Sequence, residues 1–332
     1  MKRVLLTGGG GAIGHHVVAH FMENTDWFVT VLDSFRHKGD PARIGMLKKE
    51  HPEWVERISV LKHDLCCPIS PELADAIGPV DHILHLAALS DVGFAVENAV
   101  YTIKNNVDST LMMLEYAKHT PHETFLYFST DEVYGPVVPG QAHPEWDTHR
   151  PSNAYSASKA ASEDICYAYW RSGDVNLIIT NTMNNFGETQ APSKFPSMVQ
   201  EKLARGEIVD IHCSGGEIGT RFYIHSRDTA DAILFILKNL PCHKHDSGAL
   251  DEPDRYHIVG SVCLDNLTLA QDIAAITGEQ LNVRMVEFHA HNPAHDMHYG
   301  LEDNKLRAAG WSEPIGFEAG LKQTVAWERA QR

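Results

Sequence analysis

Val4-Leu5-Leu6-Thr7-Gly8-Gly9-Gly10-Gly11-Ala12-Ile13-Gly14 is the stretch whose reading decides the fold. Val4 to Thr7 reads as a buried strand, and a helical pattern runs from the glycines to about Asn24. Gly8, Gly11 and Gly14, with Ala12 and Ile13 between the last two, fit a G-x-x-G-x-x-G spacing. That spacing serves a tight turn, a close backbone approach to a pyrophosphate and a helix packed hard against the strand. The helix N-terminus then offers N–H groups and a positive dipole end to the phosphates. A second strand, Phe28 to Leu32, leads into Asp33, about 20 residues past the glycines, where a carboxylate accepts from adenosine ribose hydroxyls and repels a 2′-phosphate. NAD is therefore expected rather than NADP, although Arg36 and His37 lie close by.

Outward from this unit, Ile58 to Leu61, His82 to Leu86, Phe125 to Phe128 and Leu177 to Thr180 also read as buried strands separated by helical segments. The alternation predicts an α/β fold, a Rossmann doubly wound parallel sheet covered on both faces. Residues 1–180 form the NAD-binding domain in this reading. Residues 181–332 form a smaller α/β substrate lobe, from which 226–240 returns to the first domain as a helix with Ser226 as a candidate cap. Asp64-Leu65, after the third strand, is placed to meet the adenine ring. Leu86-Ala87-Ala88, after the fourth, lets a dinucleotide lie against the backbone.

The composition excludes several classes. A net charge of −16 argues against a nucleic-acid partner, which is held by clustered Lys and Arg. No stretch approaches the roughly 20 apolar residues of a membrane span, and the opening residues read as a folded domain, not a signal peptide. Six cysteines at unrelated spacings, without a C-x-x-C pair, indicate neither zinc nor a disulfide framework, and fit a reducing cytoplasm. The 21 histidines include the groups His15, His16, His20 and His289, His291, His295, His298. None has H-E-x-x-H or similar spacing, so no metal is expected.

Tyr155 and Lys159, in Asn153-Ala154-Tyr155-Ser156-Ala157-Ser158-Lys159, share one face of a helix. An ammonium beside a phenol lowers its pKa, which would let Tyr155 act as base while a hydroxyl is oxidised by NAD. Upstream, Ser129-Thr130-Asp131-Glu132-Val133-Tyr134-Gly135 follows a buried strand and should emerge at its carboxyl edge, where open α/β sheets bind ligands. Thr130 can hydrogen-bond the oxygen that Tyr155 deprotonates. Elimination of water needs a base and an acid, and the neighbouring carboxyls Asp131 and Glu132 can divide those roles.

The motifs TGGGGAIG, HLAA, STDEVYG, YSASK and NNFG resemble those of the extended short-chain dehydrogenases/reductases, the NAD-dependent epimerase/dehydratase family, and STDEVYG is similar to that of the dTDP-glucose 4,6-dehydratases. The likeness extends through RFYIHSRD (Arg221 to Asp228), PAHDMHY (Pro293 to Tyr299) and LEDNKLRAAGW. It implies a nucleotide-diphosphate hexose as substrate and a 4-keto-6-deoxy sugar as product. By that resemblance Tyr155 takes the C4 hydroxyl proton, Glu132 the C5 proton, and Asp131 protonates the departing C6 hydroxyl, while NAD takes the C4 hydride and returns it to C6. Ser90, Asn184, Asn185, Lys194, Arg221 and His298 match substrate-side positions. A homodimer is also implied, the helices near Val100 to Lys118 and Ala154 to Arg171 pairing as a four-helix bundle.

The chain departs from the pattern at two places. After HLAA the family continues with a Glu-Ser-His-Val-Asp-Arg-like run, whereas here Leu89-Ser90-Asp91-Val92-Gly93-Phe94 stands, and His298 replaces a usual Arg before Tyr299. Two substrate-side cations are thus missing, and sugar and nucleotide stay open. An epimerase or decarboxylase on the same scaffold is the nearest alternative, and a non-catalytic NAD-binding regulatory protein the next. The Asp131-Glu132 pair argues against the former, and Thr130, Tyr155 and Lys159 together against the latter.

Overall fold

The computed structural model describes residues 1–245, 251–287 and 296–332. The first domain runs β1 (Arg3–Thr7), α1 (Gly14–Asn24), β2 (Phe28–Asp33), α2 (Pro41–Glu50), β3 (Ile58–Lys62), α3 (Pro71–Ile77), β4 (His82–His85), α4 (Val92–Glu97), α5 (Ala99–Lys118), β5 (Thr124–Thr130), α6 (Ala154–Arg171) and β6 (Leu177–Thr182). There follow β7 (Asn184–Phe186), α7 (Phe195–Arg205), β8 (Val209–Ser214), β9 (Glu217–Ile218), β10 (Thr220–His225), α8 (Ser226–Asn239), β11 (Asp254–Ile258), β12 (Val262–Asp265), α9 (Asn266–Thr277) and β13 (Val283–Glu287). Two further helices, Asn304–Ala308 and Phe317–Ala330, close the chain.

Seven strands form one sheet in the order β11-β6-β5-β4-β1-β2-β3, all pairs parallel. The inner strands are apolar on both faces because helices cover both, whereas the edge strand β3, read from the sequence as buried, exposes Ser59, Val60 and Lys62. Alternate residues divide between the two layers: Val4, Leu6, Leu126 and Phe128 pack with Val17 and Phe21 of α1 and Ile233 of α8. Leu5, Phe125 and Tyr127 pack with Met113 and Leu114 of α5 and Cys166 and Trp170 of α6. The chain starts in the middle at β1, moves outward to β3, then returns to β4 and moves the other way. A crevice therefore opens at the carboxyl ends of β1 and β4.

Two differences from the sequence reading have physical causes. The sheet takes its seventh strand from Asp254–Ile258, inside the stretch assigned to the smaller lobe. This strand carries Asp254, Arg255 and His257, all buried, so its polarity hides it from a hydrophobic pattern. Ser226 does not cap α8: its hydroxyl donates to the Phe186 carbonyl, and the His225 side chain accepts from the Arg227 N–H instead. The smaller lobe has its own core, with Phe186, Val199, Ile211, Leu269 and Leu321 packed together. Among the described residues no helix is long and apolar enough to cross a membrane.

Candidate active site

A cavity of about 610 Å³ fills the crevice and is lined by residues from both lobes. Its floor is the glycine turn. Gly8 has φ +73, and a Cβ there would sit 2.9 Å from the Ala87 backbone; one on Gly14 would sit 2.2 Å from the Gly8 carbonyl oxygen. Side chains are thus excluded where β1, α1 and the end of β4 meet. Beneath the turn, buried His85 bonds Thr7 through Nδ1 (2.9 Å) and Thr110 through Nε2 (3.2 Å), and the Thr7 hydroxyl accepts from the Ala87 N–H. Burial holds this imidazole neutral, its pKa pushed down to about 3.

Helix α1 begins at Ile13–Gly14 with no side-chain cap, which leaves its first N–H groups for a ligand. Asp33 accepts from the Gly10 N–H (3.0 Å) and the Phe35 N–H (2.9 Å), one on each oxygen. Each oxygen keeps a lone pair for a ribose hydroxyl. Gly11, Ala12, Ile13, Asp64, Leu65, Leu86, Ala87 and Ala88 line the same cavity. Arg36 is committed to Asp64 (2.6 Å) and Asn105, so it is not free for a 2′-phosphate. An uncapped helix, a turn that admits no Cβ and a paired acceptor past β2 together fit a dinucleotide.

At the carboxyl end of β5 the chain turns once in a 3-10 segment, Asp131–Val133. The Thr130 hydroxyl donates to Asp131 (2.9 Å), accepts from the Glu132 N–H (3.4 Å) and reaches Tyr155. Glu132 accepts from Asn153 Nδ2 (3.0 Å), while the Asn153 carbonyl oxygen caps α6 by accepting from the Ser156 N–H (2.9 Å). One amide therefore ties the carboxyl pair to the helix that presents Tyr155 and Lys159. All five candidate reaction residues, Thr130, Asp131, Glu132, Tyr155 and Lys159, line the cavity.

Burial raises both acids. Burial, and then the Glu132 charge, push the Asp131 carboxyl up to about 7. Burial also raises Glu132, against the opposing bond from Asn153 and the Arg221 and Lys194 charges. The expected lowering of Tyr155 by Lys159 is not what the structure has. Burial and the Glu132 and Asp131 charges raise the phenol, opposed only by the Thr130 bond. Lys159 instead donates to the Phe128 carbonyl (2.7 Å) and lies 4.0 Å from the Tyr127 ring centre, its pKa lowered by burial to about 7.

On the substrate side Ser90, Asn184, Asn185 and Lys194 line the cavity, but Arg221 and His298 do not. The Asn185 amide is anchored inward, donating to Thr182 and Met183 and accepting from Thr229. The Arg221 guanidinium donates to the carbonyls of Thr220, Met297 and Asp296 and covers the Tyr299 ring. His298 bonds Thr220 through Nδ1 (2.8 Å) and faces Glu217 through Nε2 (3.3 Å). Lys38, Arg43 and Asn153 escaped the sequence reading. Only Asn153 left a signal there, as a cap residue three before Ser156.

The histidines of α1 go to separate partners, His15 to Gly11 and Thr189, His16 to Glu188, and His20 to Asp231 and Asn24. Among the described residues no group of three His, Cys, Asp or Glu side chains could hold a metal ion. His289, His291 and His295 lie outside the described residues.

Residues 4–246 match the model of the NAD dependent epimerase/dehydratase family. The chain is 31% identical to the low-salt glycan biosynthesis protein Agl12 of Haloferax volcanii, over 97% of each chain. It is 29% identical to a dTDP-glucose 4,6-dehydratase of Haemophilus influenzae, over 98% of each. Among solved structures, DesIV, a dTDP-glucose 4,6-dehydratase of Streptomyces venezuelae with NAD and TYD bound, superposes with a TM-score of 0.85 at 28% identity, covering 99% of this chain and 98% of that one.

Proposed function

Since the chain belongs to the NAD dependent epimerase/dehydratase family and NAD is its cofactor, we propose that it is a nucleotide-sugar 4,6-dehydratase, converting an NDP-hexose to its 4-keto-6-deoxy product. The single observation that carries the reading is the carboxyl pair beside Tyr155 in one cavity, Asp131 buried and Glu132 half-buried, with Asp131 pushed up to about 7.

Bound NAD supplies a hydride acceptor that later serves as donor, so it is not consumed. Gly8, Gly11, the N-terminus of α1 and Asp33 would hold it, with Asp64, Leu65 and Leu86 to Ala88 also lining its site. Tyr155, bonded to Thr130, would receive the proton of the C4 hydroxyl as its phenolate, a form that burial and the Glu132 and Asp131 charges oppose and that a protonated Asp131 opposes less. The resulting ketone acidifies C5, and Glu132, oriented by Asn153, takes that proton. Asp131 keeps its proton to about neutrality and gives it to the C6 oxygen as water leaves. Mass spectrometry after incubation with TDP-, UDP- and GDP-hexoses tests the reaction: loss of one water without added NAD is expected, and unchanged masses across the panel overturn it.

The state of Asp131 sets a pH dependence. The rate of elimination should fall as pH rises through about 7, where the acid loses its proton. A pH–rate profile checks this, and a profile flat across neutrality would remove Asp131 from the acid role.

We place a homodimer on the α5 and α6 surface. Val100 is 75% exposed there, with Tyr101, Ile103, Phe94 and Val96 also open beside it. Such contiguous apolar exposure suits a partner surface. Sedimentation at micromolar concentration should give twice the chain mass, and a single-chain particle would overturn the pairing.

A further inference from the structure

Arg43, in the first turn of α2, lines the cavity half-buried, and the reaction scheme leaves it without a task. Its guanidinium ties together three segments that lie far apart along the chain. Nη1 donates to the Gly10 carbonyl in the glycine turn (2.6 Å) and to the Lys38 carbonyl in the loop after β2 (2.8 Å). Nε and Nη2 donate to the hydroxyl (3.0 Å) and the carbonyl (2.8 Å) of Thr189, in the loop between β7 and α7. The first two segments belong to the cofactor domain and the third to the substrate lobe. Gly11, Lys38, Gly187 and Gln190, from the same three segments, line the cavity.

A second contact runs beside the first. His15, at the start of α1, donates through Nδ1 to the Gly11 carbonyl (3.0 Å), and its Nε2 lies 3.2 Å from the Thr189 hydroxyl. Burial keeps this imidazole neutral, its pKa pushed down to about 4, so Nε2 is an acceptor. The Thr189 hydroxyl therefore accepts from Arg43 and donates to His15. Thr189 itself has φ +65, a left-handed backbone that a β-branched residue rarely adopts. Such a conformation persists only where its surroundings over-determine it, and here hydroxyl and carbonyl are both held. Arg43 and His15 thus draw the loop down toward the glycine turn against its own backbone preference.

Resting on the dehydratase reading, we propose that Arg43 is a positioning residue that straps the loop after β7 to the glycine turn and so keeps the reduced cofactor in the protein between the two hydride transfers. The reaction sets that requirement. The hydride taken from C4 is the one returned to C6, so a cofactor lost in between leaves an unreduced sugar and an empty protein. The glycine turn forms one wall of the cavity, the loop from the substrate lobe forms another, and Arg43 bonds to both. A planar guanidinium can meet these acceptors together, which the compact ammonium of a lysine cannot.

Release of NADH tests this. Protein loaded with NADH is mixed with a large excess of NAD, and the loss of bound-NADH fluorescence is followed. Arg43→Met should release NADH roughly ten- to a hundredfold faster than the wild type, and Arg43→Lys, which keeps the charge, nearly as fast as Arg43→Met. With a sugar nucleotide from the mass-spectrometric panel and no added NAD, Arg43→Met should turn over at first and then stop. Free NADH should appear in step, and added NAD should restore the rate; the wild type should show neither effect. Release as slow in both variants as in the wild type overturns the strap, as does a lower unfolding midpoint with no dependence of turnover on added NAD. Unchanged masses across the panel would remove the dehydratase reading and the role between transfers with it, while the release rates would still show whether Arg43 holds the cofactor.

Discussion

Glu132→Gln should form product roughly 100- to 10,000-fold more slowly than the wild type, the range that a positioned general base contributes. Glutamine keeps the size of the side chain and can still meet Asn153 through its carbonyl oxygen, so the local turn survives. The variant cannot take the C5 proton. Tyr155, Thr130 and Lys159 remain in place, and the first oxidation still proceeds. A single turnover should therefore leave the near-ultraviolet absorbance of reduced nicotinamide on the protein, with almost no loss of water from the sugar. Normal turnover in Glu132→Gln would show that another group takes the proton.

Arg255→Met should cost about 3 kcal/mol of stability, because it leaves the buried Glu163 charge with only the Asn181 amide and the His149 imidazole to meet it. The two side chains are 2% and 1% exposed and pair at 2.7 Å. Arg255 also donates to the Tyr134 hydroxyl and covers the Trp146 ring at 4.1 Å, while Glu163 accepts from Asn181. Urea denaturation at neutral pH measures the loss. The double variant Glu163→Gln with Arg255→Met should recover most of it, since no uncompensated charge is left. Arg255 foremost holds the Glu163 carboxyl down to about 2 against burial. A depressed acid contributes its full stability above its unfolded pKa, near 4.5, and loses it as pH falls toward 2. The wild type should weaken through that window, and Arg255→Met should weaken less. Equal stability of Arg255→Met and wild type would mean that the pair contributes nothing.

What could be read from the chain alone followed from repetition and spacing. Strands β1 to β6 announce themselves by short, mainly apolar runs, although β3 proves a largely exposed edge, and the glycine turn because no other residue fits its contacts. Strand β11 does not, since Arg255 and His257 are buried only by virtue of partners on α6 and near Tyr134. Spacing put Tyr155 and Lys159 on one face but could not reveal that the ammonium turns to the Phe128 carbonyl. Motif position put Arg221 and His298 on the substrate side but could not reveal that Arg221 is tied to the carbonyls of Thr220, Met297 and Asp296 and His298 to Thr220. Arg43 lies 146 residues from Thr189, so only folding makes them neighbours.

The place of β11 bears on how the polypeptide is made. Residues 4–246, the segment that carries the family match, stop short of it. While a nascent chain emerges from the ribosome, β6 offers an open hydrogen-bonding edge until Ile258 has followed, and the Glu163 carboxylate waits equally long for its guanidinium. Such an edge invites pairing with other chains, so a gene fragment ended at residue 246 should yield aggregates rather than a smaller NAD-binding domain.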